Sequence, residues 1–178
     1  MLEVLILILG ILIASVIVSS YFMLFIYPLV GGAPYVPTDT VKVDNMLELS
    51  DLGPGKIAVD LGSGDGRIVI AAAKTGAEAH GYEISPLLVL LSRATIKRLQ
   101  LNNAVIHSGS FWDADLSKYD VIFMYQLPYV MQRLEQKFVD NLKPGAVIIS
   151  NAFSIKNWKP FKTSGTVFAY RVSDNWPK

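Results

Sequence analysis

Residues 56–67 read KIAVDLGSGDGR, a short β-type run from Ile57 to Leu61 that breaks into a turn with glycine at positions 62, 64 and 66. A strand, a glycine turn and an alanine-rich helix over Ile68 to Lys74 make the opening unit of a sheet whose helices lie close against it. The pattern then repeats downstream. Residues 79–84 (AHGYEI) read as a second strand and Pro86 to Leu101 as a helix, followed by a third strand at Ala104–His107. Asp120–Tyr125 is a fourth strand, Val130–Asn141 a helix, and Ala146–Ser150 a fifth strand after the Lys143-Pro144-Gly145 turn. A hairpin turning at Ser164-Gly165 closes the domain, with residues 166–172 (TVFAYRV) as its second arm. Upstream, residues 39–50 have helical spacing, with Thr38 or Asp39 as the N-cap.

Strands that alternate with helices imply a parallel sheet, because parallel neighbours need crossovers. The expected fold is therefore α/β: a doubly wound, mostly parallel, Rossmann-like sheet with a C-terminal antiparallel hairpin, preceded by one transmembrane helix. In such sheets ligands lie beyond the carboxyl ends of the strands, near the point where strand order reverses. That rule singles out residues 60–67, 83–84, 109–112 and 125–128.

Composition narrows the chemistry. The chain has 178 residues, no cysteine and two histidines, which excludes disulfides, thiolate chemistry and Cys-ligated zinc and leaves little scope for a histidine metal site. Lysines and arginines total 16 against 15 acidic residues, too even a balance to propose nucleic-acid binding from charge. Charged residues make up only 17% of the chain, and the deficit is local: between Glu3 and Asp39 there is none. From Val4 to Tyr27 the sequence is VLILILGILIASVIVSSYFMLFIY. As a helix these 24 residues rise about 36 Å, enough to cross a hydrocarbon core of roughly 30 Å. Tyr21, Phe22, Phe25 and Tyr27 crowd its C-terminal end as interfacial aromatics do. A cleaved signal peptide fits poorly, for no basic residue precedes the run and no A-x-A site follows it. The expected organisation is a bilayer span within residues 1–30, a linker and cofactor-covering segment over 31–38, and one domain over 39–178. Lys42 and Lys56 follow the span, which orients it with the domain on the cytoplasmic side.

The glycine loop discriminates among cofactors. No Gly-Lys-Ser/Thr follows it, so it is not a Walker A loop. The third glycine of a dinucleotide fingerprint would fall at Arg67, a bulky cation where helix and strand must approach. Asp60 and Asp65 bracket the turn and would repel a pyrophosphate. A cofactor with a cationic centre and no phosphate suits the loop, and S-adenosylmethionine has an ammonium, a sulfonium, a ribose diol and an adenine. Asp60 is placed to accept from the ammonium, while Gly62, Ser63 and Gly64 let the backbone approach the methionine part. Glu83, at the end of the second strand beside Ile84, is placed to take the ribose hydroxyls. Either acid alone would read as a turn cap or a solvated strand end; the ordered set is what points to a cofactor.

At these residues the sequence resembles the class I, seven-strand methyltransferases. More narrowly it resembles the lysine methyltransferases that include the mitochondrial enzymes acting on the adenine nucleotide translocase and the ATP synthase c-ring protein, together with small archaeal protein-lysine methyltransferases. The similarity runs over roughly residues 34–160. It is carried by PYVPT (34–38), VDLGSGDGRIVIAAAK (59–74), GYEISP (81–86), Ser110-Phe111-Trp112, LKPGAVIIS (142–150), Phe153 and Trp158. The resemblance implies that Tyr35, Pro37 and Thr38 fold over the cofactor, and that Phe111 and Trp112 border the adenine. Ser110 stands where many such enzymes carry Asp or Asn. The loop Tyr125-Gln126-Leu127-Pro128-Tyr129 is not the Asn/Asp-Pro-Pro-Tyr of amine methylases acting on adenine or glutamine, which lowers nucleic-acid and glutamine readings.

Tyr125, Gln126 and Pro128 are the candidates for the acceptor side, with Phe153 and Trp158 as candidates for its entrance. The expected activity is methyl transfer to the lysine side chain of a protein, with the anchor favouring a membrane protein. Two alternatives share the cofactor: transfer to a small molecule or lipid intermediate, and a non-catalytic cofactor-binding membrane module. His80 and His107 fall off the expected cofactor edge and read as structural.

Overall fold

The computed structural model describes residues 1–22, 35–156 and 158–173. An N-terminal helix, α1 (Leu2–Tyr21), contributes no buried residue. Its 20 residues, mostly apolar, span about 30 Å at 1.5 Å each. The rest of the expected span, residues 23–27, and residues 31–34 of the linker lie outside the described residues.

After Tyr35–Asp39 comes α2 (Thr40–Ser50), capped by Asp39, whose Oδ1 accepts from the Lys42 N–H at 2.9 Å. The units that follow are β1 (Ile57–Leu61), α3 (Arg67–Lys74), β2 (Glu78–Glu83), α4 (Pro86–Arg98) and β3 (Ala104–Ser108). A short 3-10 turn (Phe111–Asp113) leads to β4 (Val121–Met124), α5 (Pro128–Asn141), β5 (Val147–Asn151), β6 (Lys162–Ser164) and β7 (Val167–Arg171). Among the described residues seven strands form one sheet in the order β3-β2-β1-β4-β5-β7-β6. The first five run parallel, and β7 pairs antiparallel with both β5 and β6. The expected mixed sheet and closing hairpin are both present. The acceptor-side helix starts at Pro128 rather than Val130, since proline at the first helical position loses no hydrogen bond and presets φ.

Alternation along the strands builds two cores. Ala58, Phe123 and Ile149 face α2, α3 and α4, where they meet Met46, Val69, Ala72 and Val89. Val59, Ile122, Met124 and Ile148 face α5 and meet Leu134 and Phe138, with Tyr119 and Tyr170 filling the ends. Helices on both faces force the strand order to reverse, and it does so between β1 and β4. The carboxyl ends of those two strands therefore frame the cleft.

Candidate active site

The turn after β1 is stitched to the neighbouring strand. Gly62 and Ser63 both donate their N–H to the Tyr82 carbonyl, at 3.0 and 2.9 Å, and Gly64 donates to Glu83 Oε2 at 2.8 Å. Gly62 (φ +87) and Gly64 (φ +54) adopt left-handed backbone, and neither has room for a side chain. A Cβ on Gly62 would stand 2.9 Å from Gln126 Nε2, and one on Gly64 would stand 2.7 Å from the Tyr35 ring. The loop thus presents bare backbone to a cleft of about 1060 Å³, measured to include its mouth.

Fourteen of the residues expected from sequence line this cleft: Tyr35, Pro37 and Thr38; Asp60, Gly62, Ser63, Gly64 and Asp65; Glu83 and Ile84; Ser110 and Phe111; Tyr125 and Gln126. Two do not. Trp112 turns away in the 3-10 turn, against the α5 core, with the Arg133 guanidinium 4.3 Å from its ring centroid. Pro128 opens α5, and Leu127 lines the wall in its stead. Trp158 packs beside Phe138 and Tyr170 and so belongs to the core. Phe153 does line the cleft, with its ring centroid 6.5 Å from that of Tyr125.

Electrostatics divide the cleft. Asp60 is 4% exposed; burial first, then the charges of Glu83 and Asp65, push its carboxyl well above the ordinary range. Glu83 is also buried, and its two oxygens are aligned by backbone donors, Gly64 N at 2.8 Å and Ser85 N at 2.7 Å. Asp65 behaves differently from the sequence expectation. Burial raises its pKa, but Arg67 outweighs that and holds the carboxyl below the ordinary range. The guanidinium forks onto it, Nε to Oδ1 at 2.9 Å and Nη2 to Oδ2 at 2.6 Å. Asp65 is therefore paired with a cation, and among the described residues the carboxyls that face the cleft without one are Asp60 and Glu83.

Arg67 is the residue sequence reasoning misplaced. It appeared only as a misfit to a dinucleotide loop, yet its Nη1 also donates to the Thr38 carbonyl at 2.6 Å. The same cation thus ties the covering segment to the glycine loop. Tyr35 lies over Gly64, its pKa raised by burial and then by Asp65. The signal available in the sequence was an arginine two residues after the loop aspartate, a spacing that suits a local fork.

On the acceptor side, Gln126 is buried just beyond β4. Its Nε2 donates to the Leu61 carbonyl at 2.6 Å, which fixes the amide plane. Its Oε1 is buried without a hydrogen-bond partner. Ser110 Oγ is committed to its own turn, accepting from Trp112 N at 3.2 Å.

Residues 60–162 match the family described as the ANTKMT methyltransferase domain. The chain belongs to that family. A rat lysine N-methyltransferase of the ATP synthase C-subunit is 37% identical over 79% of this chain. A protein-lysine N-methyltransferase of Saccharolobus islandicus is 38% identical, covering 74% of this chain and 83% of its own. Among solved structures, an RNA methyltransferase from Salinibacter ruber in complex with S-adenosyl-L-homocysteine is 38% identical with a TM-score of 0.77, covering 80% of this chain and 97% of that one. The chain spans 67% of the rat protein's length but only 62% of the human counterpart's. As a member of this methyltransferase family, the chain is an S-adenosylmethionine-dependent enzyme, and the cleft at the sheet's switch point is where its fold class carries that cofactor.

Proposed function

We propose that this methyltransferase is held at a membrane by α1 and methylates the side-chain amine of lysine in a protein. The observation that carries the acceptor assignment is the buried, unpartnered Oε1 of Gln126, beside a loop shaped for the cofactor. The names of the rat and archaeal relatives supply the amino acid. The anchor, a 20-residue apolar helix with no buried residue, favours an acceptor at the membrane.

The residues fit S-adenosylmethionine. Asp60 would hold its ammonium, Glu83 its ribose hydroxyls and Ile84 and Phe111 its adenine, with Tyr35 to Thr38 as the covering segment. Bound there, the cofactor supplies an electrophilic methyl group. The chain's own task is to deliver a neutral amine in line. A lysine of pKa 10.4 lies about three units from deprotonation at neutral pH, a cost of roughly 4 kcal/mol. An entrance walled by Tyr125, Leu127 and Phe153 lowers that pKa by desolvation. Gln126 Oε1 then accepts one N–H of the amine and turns its lone pair toward the methyl group, while the released proton leaves to water. Among the described residues no histidine lines the cleft, which suits a step limited by positioning more than by proton transfer.

Gln126→Ala and Tyr125→Phe test the assignment. Both variants are expected to bind S-adenosylmethionine as the parent does, and Gln126→Ala to transfer on the order of 100-fold more slowly, the scale of a mispositioned reactant. Unchanged transfer in both would remove the acceptor assignment.

A further inference from the structure

Helix α4 leaves the cleft wall directly, two residues after Ile84. Its inner face is ordinary: Leu88, Val89, Ser92 and Ile96 are buried. Its outer face is not. Leu87, Leu90 and Leu91 are 36%, 66% and 49% exposed at the i, i+3, i+4 spacing of a single stripe. A surface helix of a soluble domain places polar residues there. The stripe is confined to the half of α4 nearest the cleft, and the far half ends in Lys97 and Arg98. Val36, in the segment covering the cofactor, is 54% exposed on the same carboxyl edge of the sheet.

We infer that this edge, the first half of α4 and the rim of the cleft, rests on the surface of a lipid bilayer, so that the mouth opens toward the headgroups. The inference rests on the membrane anchoring proposed above. Its occupant is indicated by the path of the chain. Helix α1 ends at Tyr21, and by Tyr35 the chain already lines the cleft. The intervening residues reach about 45 Å at most when fully extended. The tether thus enters the domain at the leucine-bearing edge, whereas the opposite edge carries Asp51, Lys56, Asp120 and Lys143. Helix α4 contains no acidic residue, so its cleft half sets no negative charge against anionic headgroups. An enzyme docked in this way reaches amines presented at headgroup depth in preference to those in free solution.

The cysteine-free chain allows a direct test. Single variants Leu90→Cys, Leu91→Cys and Asn102→Cys in the full chain are labelled with the environment-sensitive fluorophore NBD. They are then reconstituted in phosphatidylcholine–phosphatidylglycerol vesicles with headgroup-proximal nitroxide lipids. Asn102 lies in the turn at the opposite edge of the sheet. Labels at 90 and 91 are expected to emit further to the blue and to be quenched about threefold more than the label at 102, as for an apolar face seated in the interface. In a Leu87→Cys reporter, adding Leu90→Asp and Leu91→Asp is expected to abolish the excess quenching with S-adenosylmethionine affinity unchanged. Equal quenching at all three positions would overturn the inference. So would a blue shift that vanishes on lowering the protein-to-lipid ratio, which would assign the stripe to a second copy of the chain. Failure of the lysine assignment reads out separately, as absence of methyl-lysine with the quenching pattern intact.

Discussion

At the end of β1 the Asp60 carboxyl is held in the protonated direction, by burial first and by Glu83 and Asp65 second. The unfolded chain ionises this acid above about pH 4, so without cofactor the folded state becomes progressively less favoured from there up to the raised value. An ammonium partner reverses the preference and favours the carboxylate. S-adenosylmethionine affinity is therefore expected to rise with pH through the raised value and then level off. Calorimetric titration of Asp60→Asn should show that slope flattened and affinity at pH 8 reduced about 10- to 100-fold, the loss of one charge-assisted bond. The same variant should melt a few degrees higher without cofactor, because the cost of a buried acid is gone. His107 is a half-buried base. Its ring stacks on His80 at 5.2 Å, and its pKa is lowered by burial first, then by His80, Lys118 and Arg93. Below about pH 6.5 the unfolded chain takes up a proton that the folded one resists, so stability falls as pH drops. His107→Phe should flatten that limb of a stability–pH profile measured by urea unfolding.

The covering segment, the glycine loop and the start of α3 act as one element because Arg67 joins them. Its fork onto Asp65 and its bond to the Thr38 carbonyl need a planar guanidinium, so Arg67→Lys should rescue little of what Arg67→Ala loses. Both variants are expected to weaken S-adenosylmethionine binding about tenfold and to expose residues 35–39 to limited proteolysis. The melting of the sheet should change little, since the guanidinium is part-exposed. Unaltered proteolysis would show that the segment is held by its own packing. The strands and helices themselves were legible, because a glycine turn after an apolar run and strict alternation of element types leave few topologies open. The strap was not, since a local motif gives no sign of a carbonyl 29 residues upstream. Trp112 does not line the cleft for a related reason: a 3-10 turn rotates successive side chains by about 120°, so only Phe111 reaches the wall while Trp112 packs behind it, ring centroids 4.9 Å apart. Phe153 reaches the cleft because Ala152 takes a positive φ of 68°, a local reversal the side chains do not announce.

In the whole molecule, an ordinary α/β domain is joined to a helix that the domain does not cover. A charge at the centre of a bilayer span costs about 2.5 to 3.5 kcal/mol. Leu12→Arg is therefore expected to shift a substantial share of the chain from carbonate-resistant membranes to the soluble fraction, and intact mass of the membrane-bound parent should show the N-terminus retained. A shortened mass would identify the helix as a removed targeting segment. The apolar N-terminal helix and the cofactor chemistry were legible because each is written in contiguous residues. The acceptor was less so, because one buried amide oxygen acquires meaning only when β1 and β4 stand side by side. The most direct test of the account is methyl transfer by the full chain in host membranes supplied with labelled S-adenosylmethionine, followed by hydrolysis of the labelled fraction. Label recovered as methyl-lysine, in protein and chiefly in the membrane fraction, is the predicted result; label in RNA, in lipid or in small molecules, with none in lysine, would contradict it.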